Sequence, residues 1–256
     1  MLSKRKVATL VAEFLGTGIL TLLVLSVQRS TIGIPFFVSM IAALTMVVLV
    51  FALASTSGAI LNPAIAISLW TARKLSTLTT LVYVGAELLG AWGAYYLYGY
   101  YINNHLTPVG GKYATRILIG EAVGAAILGF AWGAVAYKKW SVNLKAPVIG
   151  IATMVGMVAA STVGLGLINP GLALGVRAWV WGTYVLGPVL GAVVGFNLYG
   201  QLFATDKELA QAKKEAVPFI SSLQMATTSS SSSVSSRASV GSKKKVSAKK
   251  KSTKRK

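Results

Sequence analysis

"SGAILNPAIAISLW" (Ser57–Trp70) is too apolar to be an ordinary loop, yet it carries an Asn-Pro step that the interior of a long hydrophobic helix should not contain. Asn favours the N-cap and Pro the first helical position, because proline's missing N–H falls where no intrahelical partner exists and its φ is already helical. Asn62-Pro63 therefore starts a helix, and the apolar run behind it stops before Arg73. A second Asn-Pro, Asn169-Pro170, opens a similar run that lasts to Trp179. Both are too short to cross a hydrocarbon core of about 30 Å, which takes roughly 20 helical residues. Each is read as a half-helix that dips into a membrane, where broken backbone is tolerated only if it is buried in protein or lines a water-filled path.

The rest of the chain supplies the membrane. Of 256 residues 54% are hydrophobic and only 12% charged, outside the range of an ordinary soluble domain. Six segments are long and apolar enough to span: 7–27, 34–55, 75–98, 116–137, 146–163 and 180–203. The first follows Lys4, Arg5 and Lys6, but its apolar run is too long for a signal peptide and no small-residue cleavage site follows, so it reads as an uncleaved helix. There are no cysteines, which removes disulfides, thiolate metal sites and thiol nucleophiles. No nucleophile–base pair, metal-ligand cluster or phosphate loop is visible, so neither an enzyme nor a cofactor is expected.

An internal repeat organises the spans. "EFLGTGIL" from Glu13 resembles "EAVGAAIL" from Glu121 at a shift of 121 − 13 = 108, and "NPAIAI" from Asn62 resembles "NPGLAL" from Asn169 at 169 − 62 = 107. "LLGAWGAYYLYG" (Leu88–Gly99) matches "VLGAVVGFNLYG" (Val189–Gly200) at 189 − 88 = 101. Each half, about 7–105 and 106–205, thus holds three spans and one half-helix. Three is odd, so the second half enters from the opposite side and the pair is inverted. The fold expected is all-α: six transmembrane helices plus two re-entrant half-helices in an inverted repeat.

Charge sets the orientation. With a cytoplasmic N-terminus, the inside segments carry Lys4–Lys6, Arg73, Lys74, Lys138, Lys139 and Lys145, against Arg29, Lys112, Arg116 and Arg177 outside. The positive-inside bias places both termini in the cytoplasm. Residues 1–6 form a basic N-terminus. Residues 206–256, with 13 Lys and Arg, three acids and the run Ser229–Ser233, read as a disordered cytoplasmic tail. Attraction to anionic lipid explains that tail more simply than nucleic acid does.

In an inverted pair the half-helices enter from opposite faces and their N-terminal ends meet near the midplane. There Asn62 and Asn169 can present amide N–H donors, and the positive dipole ends favour a neutral dipolar solute over a cation.

The sequence resembles the aquaporin and glycerol-channel family, the major intrinsic proteins. The likeness rests on "AEFLGTG" (Ala12–Gly18), "SGAILNPA" (Ser57–Ala64), "LINPG" (Leu167–Gly171) and "YVLGPVLGAVVG" (Tyr184–Gly195) and covers roughly residues 7–203. The resemblance implies a homotetramer with one pore per subunit and passive flow of water or small uncharged solutes. It implies a pore centre of Asn62, Pro63, Ala64, Asn169, Pro170 and Gly171. Glu13 and Glu121 could be proton-relay carboxylates, but their matched positions suggest a shared structural task, and the resemblance assigns them to accepting backbone N–H groups of the re-entrant loops.

Departures from the family pattern bear on selectivity. Ile60 stands where His is usual, Gly171 where Ala is usual and Glu87 where Gln is frequent. The outer constriction falls on Ala42, Met157, Gly166 and Leu172, and Leu172 replaces the usual arginine. That set reads as wide and apolar, which weakens the case for strict water selectivity. A secondary transporter of a small solute and a non-conducting scaffold of the same fold stand as alternatives.

Overall fold

The computed structural model describes residues 4–210; most of the basic tail lies outside that range. Eight α-helices follow in order: α1 (Lys4–Gln28), α2 (Pro35–Leu53), α3 (Pro63–Thr71), α4 (Thr77–Tyr101), α5 (Thr115–Lys138), α6 (Val142–Ser161), α7 (Pro170–Gly175) and α8 (Gly187–Leu202). One π-helical turn, Gly182–Leu186, leads directly into α8. Six of these form the spans and two, α3 and α7, are the half-helices. Five spans are long and apolar enough to cross a membrane by themselves. The sixth, α4, is 25 residues long but carries six tyrosines and Glu87. Leu78, Leu81, Leu89, Val48, Ile151 and Val194 are each more than 60% exposed, an apolar surface suited to lipid or to another subunit and not to water.

Packing follows the repeat. The α1–α4 contact of the first half recurs as α5–α8 in the second, and α2 pairs with α6 across the two halves. Each half-helix crosses over: α3 packs mainly on α8, and α7 on α4. Small residues set the closest approaches. A Cβ on Gly90 would fall on the Phe14 carbonyl oxygen of α1, and a Cβ on Gly191 on the Ala122 carbonyl oxygen of α5. Phe14 and Ala122 differ by 108 positions, Gly90 and Gly191 by 101, so the same contact is built twice at the shifts of the sequence repeat. Glycine here lets helix backbones touch, as membrane packing without a hydrophobic driving force requires.

The structure also shows where the shift falls from 107 to 101. Both half-helices end in a Schellman motif with an arginine in the left-handed region: Arg73 (φ 58°) and Arg177 (φ 64°). Lys74 N donates to Leu69 O and Arg73 N to Trp70 O, both at 2.8 Å; Ala178 N donates to Ala173 O at 2.8 Å and Arg177 N to Leu174 O at 3.2 Å. These arginines are 177 − 73 = 104 apart. Three residues are therefore missing inside the second half-helix and three more between its arginine and the last span. The apolar run to Trp179 suggested a longer half-helix, but α7 stops at Gly175. Thr21 on α1 lies against the space a Cβ on Gly175 would need, and the arginine cap follows at once.

At the far end, residues 206–210 are helical rather than disordered as expected from 206 onward. A capping box accounts for this: Glu208 Oε2 accepts from Thr205 N at 2.8 Å and Thr205 Oγ1 accepts from Glu208 N at 3.3 Å.

Candidate functional site

The two chain segments that lead into the half-helices have one unusual backbone shape in common. Ala59 (φ 53°) and Leu61 (φ 51°) are left-handed in the first, Gly166 (φ 65°) and Ile168 (φ 46°) in the second, each pair three and one positions before its Asn. Left-handed conformation costs a residue with a side chain roughly 1–2 kcal/mol, so something must hold it. The alternation turns successive N–H groups to one side, making a concave anion site of the kind known as a nest. A carboxylate fills each. Glu13 accepts from Ile60 N at 3.2 Å and Leu61 N at 2.8 Å; Glu121 accepts from Leu167 N at 3.0 Å and Ile168 N at 2.6 Å. Both acids are fully buried. Glu87 adds a bond in the first half only, accepting from Asn62 N at 3.0 Å, while its Oε2 is buried without a partner.

The asparagines then cap their helices. Asn62 Oδ1 accepts from Ala64 N at 2.9 Å, and Asn169 Oδ1 from Gly171 N at 2.8 Å, with Leu172 N further off at 3.4 Å. Each amide also reaches across: Asn62 Nδ2 donates to Ile168 O at 3.3 Å and Asn169 Nδ2 to Leu61 O at 2.9 Å. The two half-helix ends therefore meet, with Pro63 against Gly171. An amide nitrogen has two hydrogens, so each Asn keeps one for a third party. The sequence suggested both as free donors; the structure commits half of that capacity to joining the loops.

A narrow cavity of about 10 Å³ for the centre of a water molecule lies at this junction. Asn62, Asn169 and Thr153 are its polar walls; Leu20, Met46, Ile60, Leu128, Trp132, Ile168 and Leu172 are the others. Of the four residues expected at the outer constriction, Leu172 borders the cavity. Ala42, Met157 and Leu172 are 0%, 2% and 1% exposed, and a Cβ on Gly166 would fall on the Met157 carbonyl oxygen. Met157 and Leu172 are thus buried, and Gly166 closes onto the Met157 backbone.

Cations cluster at both mouths. At one, Arg29 Nη2 donates to Thr107 O at 3.0 Å and Val176 O at 3.2 Å, and Arg177 Nη1 donates to Leu106 O. Both arginines pin the 102–114 connection, and the Arg177 guanidinium lies 4.9 Å from the Trp179 ring centroid. At the other mouth Lys145 Nζ donates to Gly58 O at 2.6 Å and sits 4.8 Å from the Trp132 ring centroid. Neither Trp132 nor Lys145 stood out in the sequence. Ser141, a preferred capping residue ahead of an apolar run, was the signal that the helix starts early enough to carry Lys145 on it.

A pair of capped half-helices meeting inside an inverted repeat of membrane helices defines a membrane channel, and among the described residues no group of three or more His, Cys, Asp or Glu could hold a metal ion. The chain belongs to the major intrinsic protein family, whose pattern matches residues 1–199. It is 28% identical over 239 residues to a probable aquaporin AqpM of Archaeoglobus fulgidus, covering 78% of this chain and 97% of that one. It is 26% identical over 239 residues to the putative aquaporin NIP4-1 of Arabidopsis thaliana, covering 88% and 82%. Its fold is similar to that of the aquaglyceroporin from Plasmodium falciparum, with a TM-score of 0.64 at 22% identity over 77% of this chain and 96% of that one. The protein is an integral multi-pass membrane channel for water or small solutes, and not an enzyme.

Proposed function

We propose that this channel conducts water and/or small uncharged solutes passively and excludes cations at its centre. The observation that carries the reading is the reciprocal bonding of Asn62 and Asn169, which fixes both amides and leaves one N–H on each for a passing oxygen. Ala64, Pro170 and Gly171 complete that centre as backbone of the half-helix starts, and Pro63 is the first residue of α3. A solute sheds its water against mostly apolar walls and regains hydrogen bonds at the Asn pair. A cation meets the two remaining amide N–H groups and the positive ends of both half-helices there, and regains too little of its hydration. With Ala42, Met157, Gly166 and Leu172 forming the outer constriction, no guanidinium assists, because Arg177 is engaged by Leu106.

Glu13 and Glu121 act as structural brackets rather than proton relays, since both oxygens of each are taken by loop N–H groups. The working unit is a homotetramer, both termini are cytoplasmic, and the basic tail rests on anionic lipid. The test is osmotic shrinkage of proteoliposomes under water, glycerol and urea gradients. Flux above empty vesicles that rises linearly with gradient and needs no coupling ion is expected. Saturable, ion-dependent flux would point to a transporter, and no flux for any small neutral solute would overturn the reading.

A further inference from the structure

We propose that Trp132 and Lys145 form an inner selectivity constriction, on the half of the pathway opposite the expected outer one, and that it favours solutes with hydrogen-bond-accepting oxygens. This rests on the channel reading above. Trp132, on α5, is a wall of the central cavity, 3% exposed, and its indole Nε1–H has no hydrogen-bond partner among the described residues. A buried donor of this kind is costly unless something hydrogen-bonds to it, and beside a solute pathway the solute itself can do so. Lys145, in the first turn of α6, is held in place from two sides: the Gly58 carbonyl accepts from its Nζ at 2.6 Å, and the Trp132 ring lies beneath it at 4.8 Å. Lys145 is not itself a cavity wall, but the ring it lies 4.8 Å from is one, so the ammonium stands directly behind Trp132.

The chemistry of the pair is one-sided. Indole offers only a donor, and an ammonium offers only donors and a positive charge. With the Gly58 carbonyl engaged by Lys145, a solute at this rim finds two donor groups side by side. Water, urea-type carbonyls and polyol oxygens can answer that pattern; ammonium-type solutes and alkali cations cannot. Glu13 makes no ion pair with Lys145: its oxygens accept from the Ile60 and Leu61 N–H groups, and the group bonded to Lys145 Nζ is the neutral Gly58 carbonyl. At the opposite constriction Leu172 leaves no positive charge, and Arg29 and Arg177 are engaged by carbonyls of neighbouring segments. Trp132 and Lys145 thus lie on the other side of the Asn centre, and unlike Trp179, the aromatic partner of Arg177 at the opposite mouth, Trp132 is a wall of the central cavity.

The experiment compares wild type, Trp132→Phe, Lys145→Met and Lys145→Arg in proteoliposomes, with water, urea and methylammonium gradients and with potassium conductance in planar bilayers. Lys138→Met, which removes an exposed lysine at the same mouth away from the cavity, is the control. Lys145→Met is expected to raise methylammonium and potassium passage at least tenfold, with Lys145→Arg restoring exclusion. Trp132→Phe keeps the ring under the ammonium but removes the N–H, and is expected to lower urea flux about fivefold without admitting potassium. Assembly on size exclusion identifies any variant that has failed to fold; the arginine and phenylalanine variants keep the bulk and serve as the second line of evidence. If wild type conducts while Lys145→Met and Trp132→Phe stay within twofold of it for every solute, the inner constriction is refuted and the channel reading stands. A wild type that moves nothing refutes both.

Discussion

Removing the bracket of the second half tests the loop architecture directly. In Glu121→Ala two buried N–H groups, on Leu167 and Ile168, lose their acceptors at 3.0 and 2.6 Å. Each unsatisfied buried donor costs about 1–3 kcal/mol, so the pair costs about 2–6 kcal/mol. The loss falls on a segment in which Ile168 is held at φ 46°. Relaxation there moves the Ile168 carbonyl that accepts from Asn62 Nδ2, so flux falls together with stability. Glu121→Gln keeps one acceptor and should lose about half as much. Glu13→Ala should be milder than Glu121→Ala, because Glu87 still accepts from Asn62 N in the first loop and no such acid backs the second. The assay is the thermal midpoint in detergent together with water flux per assembled protein. A Glu121→Ala protein with wild-type midpoint and wild-type flux, or one less affected than Glu13→Ala, would refute the reasoning.

Asn169→Asp keeps the cap on Gly171 N but sets a carboxylate oxygen against the Leu61 carbonyl that now accepts at 2.9 Å; neutral flux should drop about tenfold, on the order of 1–3 kcal/mol, and a cation leak should be visible in bilayer recordings. Gly191→Leu drives a side chain onto the Ala122 carbonyl and should cost at least about 1–3 kcal/mol, read as lost monodisperse protein, whereas Gly85→Ala meets nothing within 4 Å and should be tolerated. The Thr205 backbone N–H holds the Glu208 carboxyl below the usual carboxylate range. Because the folded value is the lower one, the capping contribution is present at neutral pH and is lost as pH falls through that value. Amide NMR of Thr205 should show the bond released in acid, and an amide shift that ignores acid would contradict it.

The architecture could be read from the sequence because it is written twice. Asn62-Pro63 and Asn169-Pro170 mark helix starts by local chemistry alone, and Glu13 and Glu121 occupy matched positions. The ends of the half-helices were less legible, since termination depends on an arginine taking a left-handed φ and, in the second, on Thr21 of a distant helix closing in on Gly175, which no local pattern encodes. Glu87 illustrates another limit. Its bond to Asn62 N joins residues 25 positions apart, and the position matching it in the repeat, 87 + 101 = 188, is Pro188, so the repeat gave no hint of its use. Lys145 counted only as one more inside charge until α6 was seen to begin at Val142.

The missing turn of α7 has a consequence for how such a pore can diversify. Three residues amount to about 4.5 Å of helix, and the cross-bonded asparagines keep the inner ends of both half-helices together, so the shortfall is taken entirely from the mouth. The arm of the conduit on that side is shorter than its mate. Since the same arginine cap closes either length, an arm can be lengthened or trimmed by close to one helical turn, which keeps the cap on nearly the same face, while the junction that meets the solute stays as it is.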